Sequence, residues 1–342
     1  MRHIPLLPSL LLLLVVCSAE DARLCADDFF QLPTSNRSLF EPAGEPRFFA
    51  PTVGKPWASG TFGCVRSSGH QLHEGIDILR VQTDRRGEPT DPVMVVADGV
   101  VTYVNTRSGL SNYGNYIVIR HSVDGLTLYS LYAHLASIRS ELRPGSSVQS
   151  GQVIGILGRS TNTRSAIGKD RAHLHLEFDF QINPRYAEWH QIHRVGERND
   201  HGSWNGRNLI GLDPWNLFLT QRRSKASFSL ARWVRGQTEL CRVFLKVKDF
   251  PWLRANPSLI RPNPRAAKEG VVGYELALNF MGLPFECTPR AASEMKSLAP
   301  NQVLFVNEVE HGQHLCRKLV VRRGGRWELT STGTELMSLL TF

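Results

Sequence analysis

Residues 172–180 read AHLHLEFDF, and polar and apolar side chains alternate along them without interruption. Alternation with a period of two predicts a β-strand, one face of which carries His173, His175, Glu177 and Asp179. Two residues of extended chain span roughly 7 Å, so both imidazoles can reach one small cleft. Taken alone, the pair is also typical of two half-exposed strand histidines, and the two carboxylates are either partners of an imidazole or solvated strand residues.

A second group of candidate ligands lies upstream, in the sequence HEGID. Four steps of extended chain would separate His73 and Asp77 by about 13 Å, which is too far for one ion, but Gly75 permits a bend between them. Two imidazoles and one carboxylate suit zinc, and three protein ligands leave a fourth position for a reactive water. His134, in the sequence YAHL, is a candidate proton donor or acceptor. The residues alone leave open a hydrogen-bonded surface pair at His73 and Asp77 and a simple turn histidine at His134.

Short strand-like runs separated by turns surround these motifs. Runs of β-branched and aromatic residues punctuated by glycine predict strands within 91–105, 115–121, 126–135 and 153–157. The sequence VDG before the third run predicts a hairpin. Because no helices alternate with these strands, the sequence predicts a mainly β fold and excludes a doubly wound α/β sheet.

The C-terminal third has a different pattern, which predicts a smaller α+β domain over residues 225–342. The cluster RRSK places the boundary near residue 224. Apolar residues spaced by three and four predict an amphipathic helix over 265–281, ahead of a glycine and a proline. The sequence LVVRRGGRWEL at 319–329 predicts a hairpin that turns at the glycine pair.

Composition and charge narrow the class of protein. The 342 residues are 42% hydrophobic and 21% charged, which is ordinary for a globular protein and excludes global disorder. The net charge is +9, and residues 221–342, with 19 basic and 10 acidic side chains, carry all of it. Such a region suits contact with nucleic acid, a membrane surface or a cell-wall polymer, although a soluble domain with a basic face is the slightly favoured interpretation.

The N-terminus predicts export. A short positive start, an apolar run over residues 4–16 and small residues before Glu20 predict a cleaved signal peptide over residues 1–19. The apolar run is too short to span a membrane, and we expect no span elsewhere. The predicted location is therefore periplasmic or secreted, with lipid anchoring at Cys17 as the less favoured alternative. Export argues against a nucleic-acid partner. Residues 20–66, rich in Pro, Phe and Ser, are predicted to form an extended lead-in packed on the following domain.

Six cysteines are present, at positions 17, 25, 64, 241, 287 and 316, and no two have the Cys-x-x-Cys spacing of a zinc ribbon or a redox site. In an oxidising compartment, proximity in sequence predicts a disulfide bond between Cys25 and Cys64. It also predicts a bond between two of the last three cysteines, which leaves one free thiol.

The order of the motifs resembles that of the lysostaphin-type (LytM-like) zinc endopeptidases of bacterial cell walls. The similar segments are HEGIDI at 73–78, VVADGVV at 95–101, YGNYIVIRH at 113–121, LYAHL at 131–135, VQSGQVIGILG at 148–158, HLHLE at 173–177 and GLDPWNLF at 211–218. The resemblance implies a compact antiparallel β-sheet peptidase domain over residues 67–222, with a groove across the sheet. It also implies one zinc ion and, as substrate, the peptide stems of peptidoglycan, whose cross-links are hydrolysed.

The resemblance also implies a role for each site residue. His73, Asp77 and His175 would be zinc ligands, while His134 and His173 would be catalytic residues that orient or deprotonate the zinc-bound water. Some relatives have lost their ligands and only bind and activate an amidase, and this alternative stays open although all five residues are intact here. The segment 159–172 is longer and more basic than is usual in the family, and we expect it to wall the groove.

Overall fold

The structure is a computed structural model that describes residues 29–164, 166–295 and 299–342. The predicted signal peptide and its alternative anchor Cys17 lie outside the described residues. In the described part of the chain, no helix is both long and apolar enough to cross a membrane.

Short strands predominate over helices. The strands are β1 Gly63–Arg66, β2 Gln71–His73, β3 Ile76–Leu79, β4 Pro92–Met94, β5 Gly99–Asn105, β6 Tyr116–Val123, β7 Leu126–Ala133, β8 Ser137–Ile138, β9 Ser147–Val148, β10 Val153–Ile156, β11 His173–Gln181, β12 Leu209–Leu212, β13 Cys241–Leu245, β14 Gly273–Leu278, β15 Pro284–Arg290, β16 Gln302–Val306, β17 Val320–Arg323 and β18 Arg326–Leu329. The α-helices are α1 Glu45–Phe48, α2 Tyr186–His193, α3 Pro214–Ser224, α4 Leu230–Arg235, α5 Pro251–Ala255, α6 Pro264–Glu269, α7 Glu308–Gln313 and α8 Ser331–Thr341. Short 3₁₀ turns occur at Ser38–Phe40, Trp57–Gly60, Ser67–Gly69, Lys169–Arg171, Lys225–Ser227, Pro257–Leu259 and Ala292–Glu294.

An antiparallel sheet of seven strands carries the candidate site. Its order is β12-β11-β7-β6-β5-β9, and β3 also pairs with β11. Along β11 the apolar residues Leu174, Leu176 and Phe178 face the main hydrophobic core. The polar residues between them are also buried, so the predicted strand is confirmed but its polar face is covered.

Hairpins form where the turn signals predicted them. The turn at Asp124 and Gly125 joins β6 to β7, and both residues adopt the positive φ that a tight turn of this kind needs. The glycine pair Gly324–Gly325 joins β17 to β18 in the same way.

The predicted amphipathic helix over 265–281 is wrong over most of its length. Helix α6 ends at Glu269, Gly270 follows with φ 94°, and residues 273–278 form strand β14. This strand lies between β13 and β15 in a four-stranded antiparallel sheet. A central strand is buried on both faces, so its apolar residues do not alternate strictly, and their spacing can imitate that of a helix.

The C-terminal region packs on the seven-stranded sheet through a continuous core. Phe180 of β11 lies against Trp252 of α5, with ring centroids 5.7 Å apart. The Asn183 side chain donates a hydrogen bond to the Leu339 carbonyl of α8 at 2.8 Å. The N-terminal segment joins the same core from Phe30 onward. The division into domains at residues 67, 222 and 225 stays a prediction.

The cysteine pairing differs from both predictions. Cys64 on β1 forms a disulfide bond with Cys316, 252 residues away, so a Cys25–Cys64 bond is excluded. Cys241 and Cys287 are both free and buried, so the predicted second bond is wrong as well. They lie on β13 and β15, which are separated by β14, and burial raises the pKa of both thiols. Proximity in sequence failed because the C-terminal region folds back onto β1.

We expect the Cys64–Cys316 disulfide bond to contribute strongly to the free energy of unfolding. Replacing both Cys64 and Cys316 by serine should lower the free energy of unfolding by about 3–5 kcal/mol, because a long loop is no longer closed in the unfolded chain. Urea unfolding of the wild type and the double variant under oxidising conditions measures this difference. A reducing agent should bring the wild type to the stability of the variant, and equal stability of the two proteins without it would contradict the prediction.

Candidate metal centre

The strand register brings the candidate residues together. In the β3–β11 pair, Asp77 lies directly opposite His175. On its other side, His175 pairs with Ala133, the last residue of β7, so the next residue, His134, reaches the same place. His173 lies two residues before His175 on the same face of β11.

The bend that brings His73 close to Asp77 depends on a close approach between the backbone at Gly75 and that of β11. His73 ends β2 and Asp77 lies within β3, so the chain bends between them as the sequence predicted. A Cβ atom at Gly75 would lie 2.1 Å from the Leu176 carbonyl oxygen of β11. Glycine is therefore needed here for space, and its φ is not positive.

Three ligand atoms converge in the interior. His73 Nε2 lies 3.1 Å from Asp77 Oδ1, Asp77 Oδ1 lies 2.9 Å from His175 Nδ1, and the two nitrogens are 3.1 Å apart. All three residues are buried, and together they form a group that could hold a metal ion. Of the predicted residues, this group brings together the three proposed as ligands.

Hydrogen bonds fix which imidazole nitrogen faces the group. His73 Nδ1 donates to the Thr61 carbonyl oxygen at 2.7 Å, which leaves Nε2 free as an acceptor. His175 has the opposite orientation, because its Nε2 donates to Glu177 Oε1 at 2.8 Å and its Nδ1 points to Asp77. Glu177 is thus the partner of an imidazole, which was one of the two sequence interpretations.

Buried charges make the site strongly polar. Burial by itself would lower the pKa of His175, but its hydrogen bonds to Asp77 and Glu177 raise it to about 10. Burial would likewise raise the pKa of Asp77, yet the neighbouring histidines hold it well below its usual range. Arg66 of β1 also pairs with Asp77, from Nη2 to Oδ2 at 2.6 Å.

The other two histidines lie beside the group and are held by backbone carbonyls. His173 Nδ1 donates to the Arg171 carbonyl at 2.7 Å, and His134 Nδ1 donates to the Ser160 carbonyl at 2.9 Å. The free Nε2 of His173 lies 3.5 Å from Asp77 Oδ1. The His134 and His173 rings are in edge contact, with centroids 4.9 Å apart.

Burial lowers the pKa of both histidines. For His134, burial and then the nearby His173 and His175 lower the pKa well below its usual value. His134 has φ 60°, an unusual conformation for a residue with a side chain, of the kind that clusters at functional sites. Both imidazoles are therefore neutral near pH 7 and present an unprotonated Nε2.

An open cleft of about 650 Å³ leads to the site. The segment 159–172 contributes Thr161, Thr163, Ile167 and Arg171 to its lining, so the expected wall is confirmed. The loop that follows α2 lines it as well, from Glu197 to His201 and from Asn205 to Arg207. Sequence reasoning missed this second loop, since no motif marks it.

The residues fit a zinc ion. Two imidazole nitrogens and one carboxylate oxygen are a zinc ligand set, and the ligand atoms of a tetrahedral zinc site lie about 3.3 Å apart. The three atoms, now 2.9–3.1 Å apart, would need to move outward by only a few tenths of an ångström. Glu177 supplies the carboxylate that typically orients a metal-binding histidine.

The fold and the buried group of His73, Asp77 and His175 indicate a metallopeptidase. Residues 71–186, which include all five candidate residues, match the model of Peptidase family M23. Over these residues the chain is similar to the lysostaphin/LytM-like peptidases of this family.

Individual relatives are similar over the same domain. The Lipoprotein NlpD/LppB homolog of Pseudomonas aeruginosa is 34% identical over 141 residues, which are 41% of this chain and 40% of that protein. The DD-carboxypeptidase/endopeptidase Mpg of Neisseria meningitidis serogroup B is 33% identical over 117 residues, 34% of this chain and 23% of that protein. The catalytic domain of the antimicrobial peptidase lysostaphin from Staphylococcus simulans matches 50% of this chain and 88% of its own, with 18% identity and a TM-score of 0.28. The chain thus spans less than half the length of both curated relatives.

Proposed function

We propose that the protein is a zinc-dependent endopeptidase that hydrolyses peptide cross-links in bacterial peptidoglycan. The observation that carries the proposal is the convergence of His73 Nε2, Asp77 Oδ1 and His175 Nδ1 at the end of an open cleft. The match of residues 71–186 to Peptidase family M23 supports it, as does the similarity to the DD-carboxypeptidase/endopeptidase of Neisseria.

In this proposal, His73, Asp77 and His175 hold one zinc ion. Zinc at this position would polarise the scissile carbonyl group and lower the pKa of a water molecule. The hydrogen bonds from His73 to Thr61 and from His175 to Glu177 keep both imidazoles turned toward the ion. Arg66 pairs with Oδ2 of Asp77, which leaves Oδ1 for the metal ion.

His134 and His173 are the proposed catalytic residues. Each has its Nδ1 proton committed to a backbone carbonyl, so each can accept a proton at Nε2. One of them accepts a proton from the attacking water at Nε2 and passes it to the leaving amine, which returns its ring to the neutral form. The Nε2 of the other orients that water by accepting a hydrogen bond from it. Because burial keeps both neutral near pH 7, a proton acceptor is present at physiological pH.

We further propose that the protein is exported to the periplasm or secreted, where peptidoglycan is accessible. The predicted signal peptide supports this location. The basic residues 225–342 are a proposed contact with the anionic wall, and binding of the protein to purified sacculi that weakens with added salt would support it.

A cleavage assay separates the proposal from the alternative of a non-catalytic amidase activator. The purified protein should contain one zinc ion per chain and should convert cross-linked muropeptide dimers to monomers. A chelator should stop this conversion and added zinc should restore it. A protein that holds no zinc, cuts no dimer and accelerates a cell-wall amidase would be an activator.

Replacing Glu177 by glutamine tests the orientation of His175. The amide cannot supply the negative charge that favours a metal-bound imidazole, so zinc affinity should fall about 10- to 100-fold while the fold is kept. Competition with a chromophoric chelator measures this affinity. Glu41→Gln, at an exposed ion pair with Arg47, is the matched control and should leave the zinc affinity unchanged. Unaltered affinity in Glu177→Gln would refute the positioning role.

A further inference from the structure

The cleft wall formed by residues 159–172 contains several cations that face different ways. Arg159 and Lys169 both pair with Glu88, at 2.9 Å and 3.1 Å. Lys169 also donates to the Arg86 carbonyl at 2.9 Å. These contacts lie away from the cleft, since neither Arg159 nor Lys169 is among its lining residues, and they hold the wall in place.

Arg171 is the cation of this wall that lines the cleft. Its Nε donates to the Pro51 carbonyl oxygen at 2.7 Å, which fixes the base of the guanidinium group. Neither of its Nη atoms has a hydrogen-bond partner or a carboxylate partner within the part of the chain that the structure describes. Two parallel N–H donors on one planar group match a carboxylate.

The other arginines that line the cleft are already neutralised. Arg66 pairs with Asp77, Arg198 with Asp200 and Arg207 with Glu197. Among the described lining residues, Arg171 is therefore the arginine that lacks a carboxylate.

Arg171 also lies next to the reacting position. Its carbonyl oxygen accepts the hydrogen bond from His173 Nδ1, and His173 Nε2 lies 3.5 Å from Asp77 Oδ1. Arg171 and His173 line the same cleft, so a substrate that reaches His173 can also reach the guanidinium group.

We propose that Arg171 is a specificity residue that binds a free carboxylate on the substrate residue next to the scissile bond. This proposal rests on the proposed function, because it identifies the substrate of the same site. The substrate class is an anionic peptide, such as a stem with the free carboxyl group of diaminopimelate. Stems in which that carboxyl group is amidated should be poor substrates.

The test uses two synthetic stem-peptide dimers that differ only in having this carboxyl group free or amidated. Calorimetric binding to the full-length zinc-loaded protein and the kcat/KM of cleavage are both measured. We expect the free form to bind and to be cut about 10- to 100-fold better, which is the usual range for a charge-assisted hydrogen bond. Arg171→Gln should remove this preference mainly through KM, whereas Arg171→Lys should keep part of it.

Arg143→Gln is the matched control, since it removes one positive charge from an exposed residue that does not line the cleft, and it should keep the full preference. Thermal melting and zinc content confirm that each variant is folded. Equal binding of the two dimers to the wild type, or a preference that survives in Arg171→Gln, would overturn the assignment. If the free form binds preferentially and neither dimer is cut, Arg171 retains its role and the proposed peptidase activity fails.

Discussion

His73→Ala should lose both zinc and peptidase activity. The variant removes one of the three proposed ligands, and Asp77 and His175 alone would leave too few donor atoms to retain the ion. Loss of the several kcal/mol that a metal ion contributes to charge stabilisation corresponds to a fall in kcat/KM of at least about 10³-fold. Mass spectrometry under native conditions gives the zinc content, and hydrolysis of a cross-linked dimer gives the rate.

His70→Ala is the matched control for this variant. His70 is exposed, lies three residues away and does not line the cleft, so its replacement should leave zinc content and rate unchanged. Asp77→Asn, which keeps the shape of the side chain, should lose zinc as His73→Ala does. A folded His73→Ala protein that retains one zinc ion and the wild-type rate would show that the ligand assignment is wrong.

His134→Ala should separate metal binding from catalysis. His134 does not belong to the group of three converging ligand atoms, so the variant should retain one zinc ion per chain. The loss of the proposed proton acceptor should lower kcat about 10²- to 10⁴-fold with little change in KM. Stopped assays on the dimer, combined with zinc analysis of the same preparation, measure both quantities.

A variant of the neighbouring His173 tests the same prediction a second time. His173→Ala should also retain zinc, because His173 is held by the Arg171 carbonyl and lies beside the ligand group. A His134→Ala preparation that has lost its zinc would mean that His134 is a ligand. A preparation with the full rate would mean that it has no part in catalysis.

The sequence predicted the parts of the molecule that local periodicity determines. The alternation in β11 identified one face with two histidines and two carboxylates, and turn residues located the hairpins at Gly125 and Gly325. The spacing of His73 and Asp77 indicated a bend at Gly75, although the close approach to Leu176 is visible only in the structure.

Features that depend on tertiary contacts could not be predicted in this way. The Thr61 and Ser160 carbonyl oxygens fix two imidazoles, and backbone groups leave no trace in a side-chain pattern. Arg66 lies in a segment predicted to be a lead-in, with nothing in its surroundings to mark a contact with Asp77. The Cys64–Cys316 bond requires knowledge of how the C-terminal region folds back.

Mass analysis of muropeptides from purified sacculi tests the central claim most directly. Sacculi are incubated with the wild type, His70→Ala and His134→Ala, each with and without a chelator, and then digested to muropeptides. The account predicts that cross-linked dimers disappear with the first two proteins only, and only without chelator, while monomers with new peptide ends appear. Unchanged dimers with zinc-loaded wild-type protein, or dimer loss that a chelator does not affect, would contradict it.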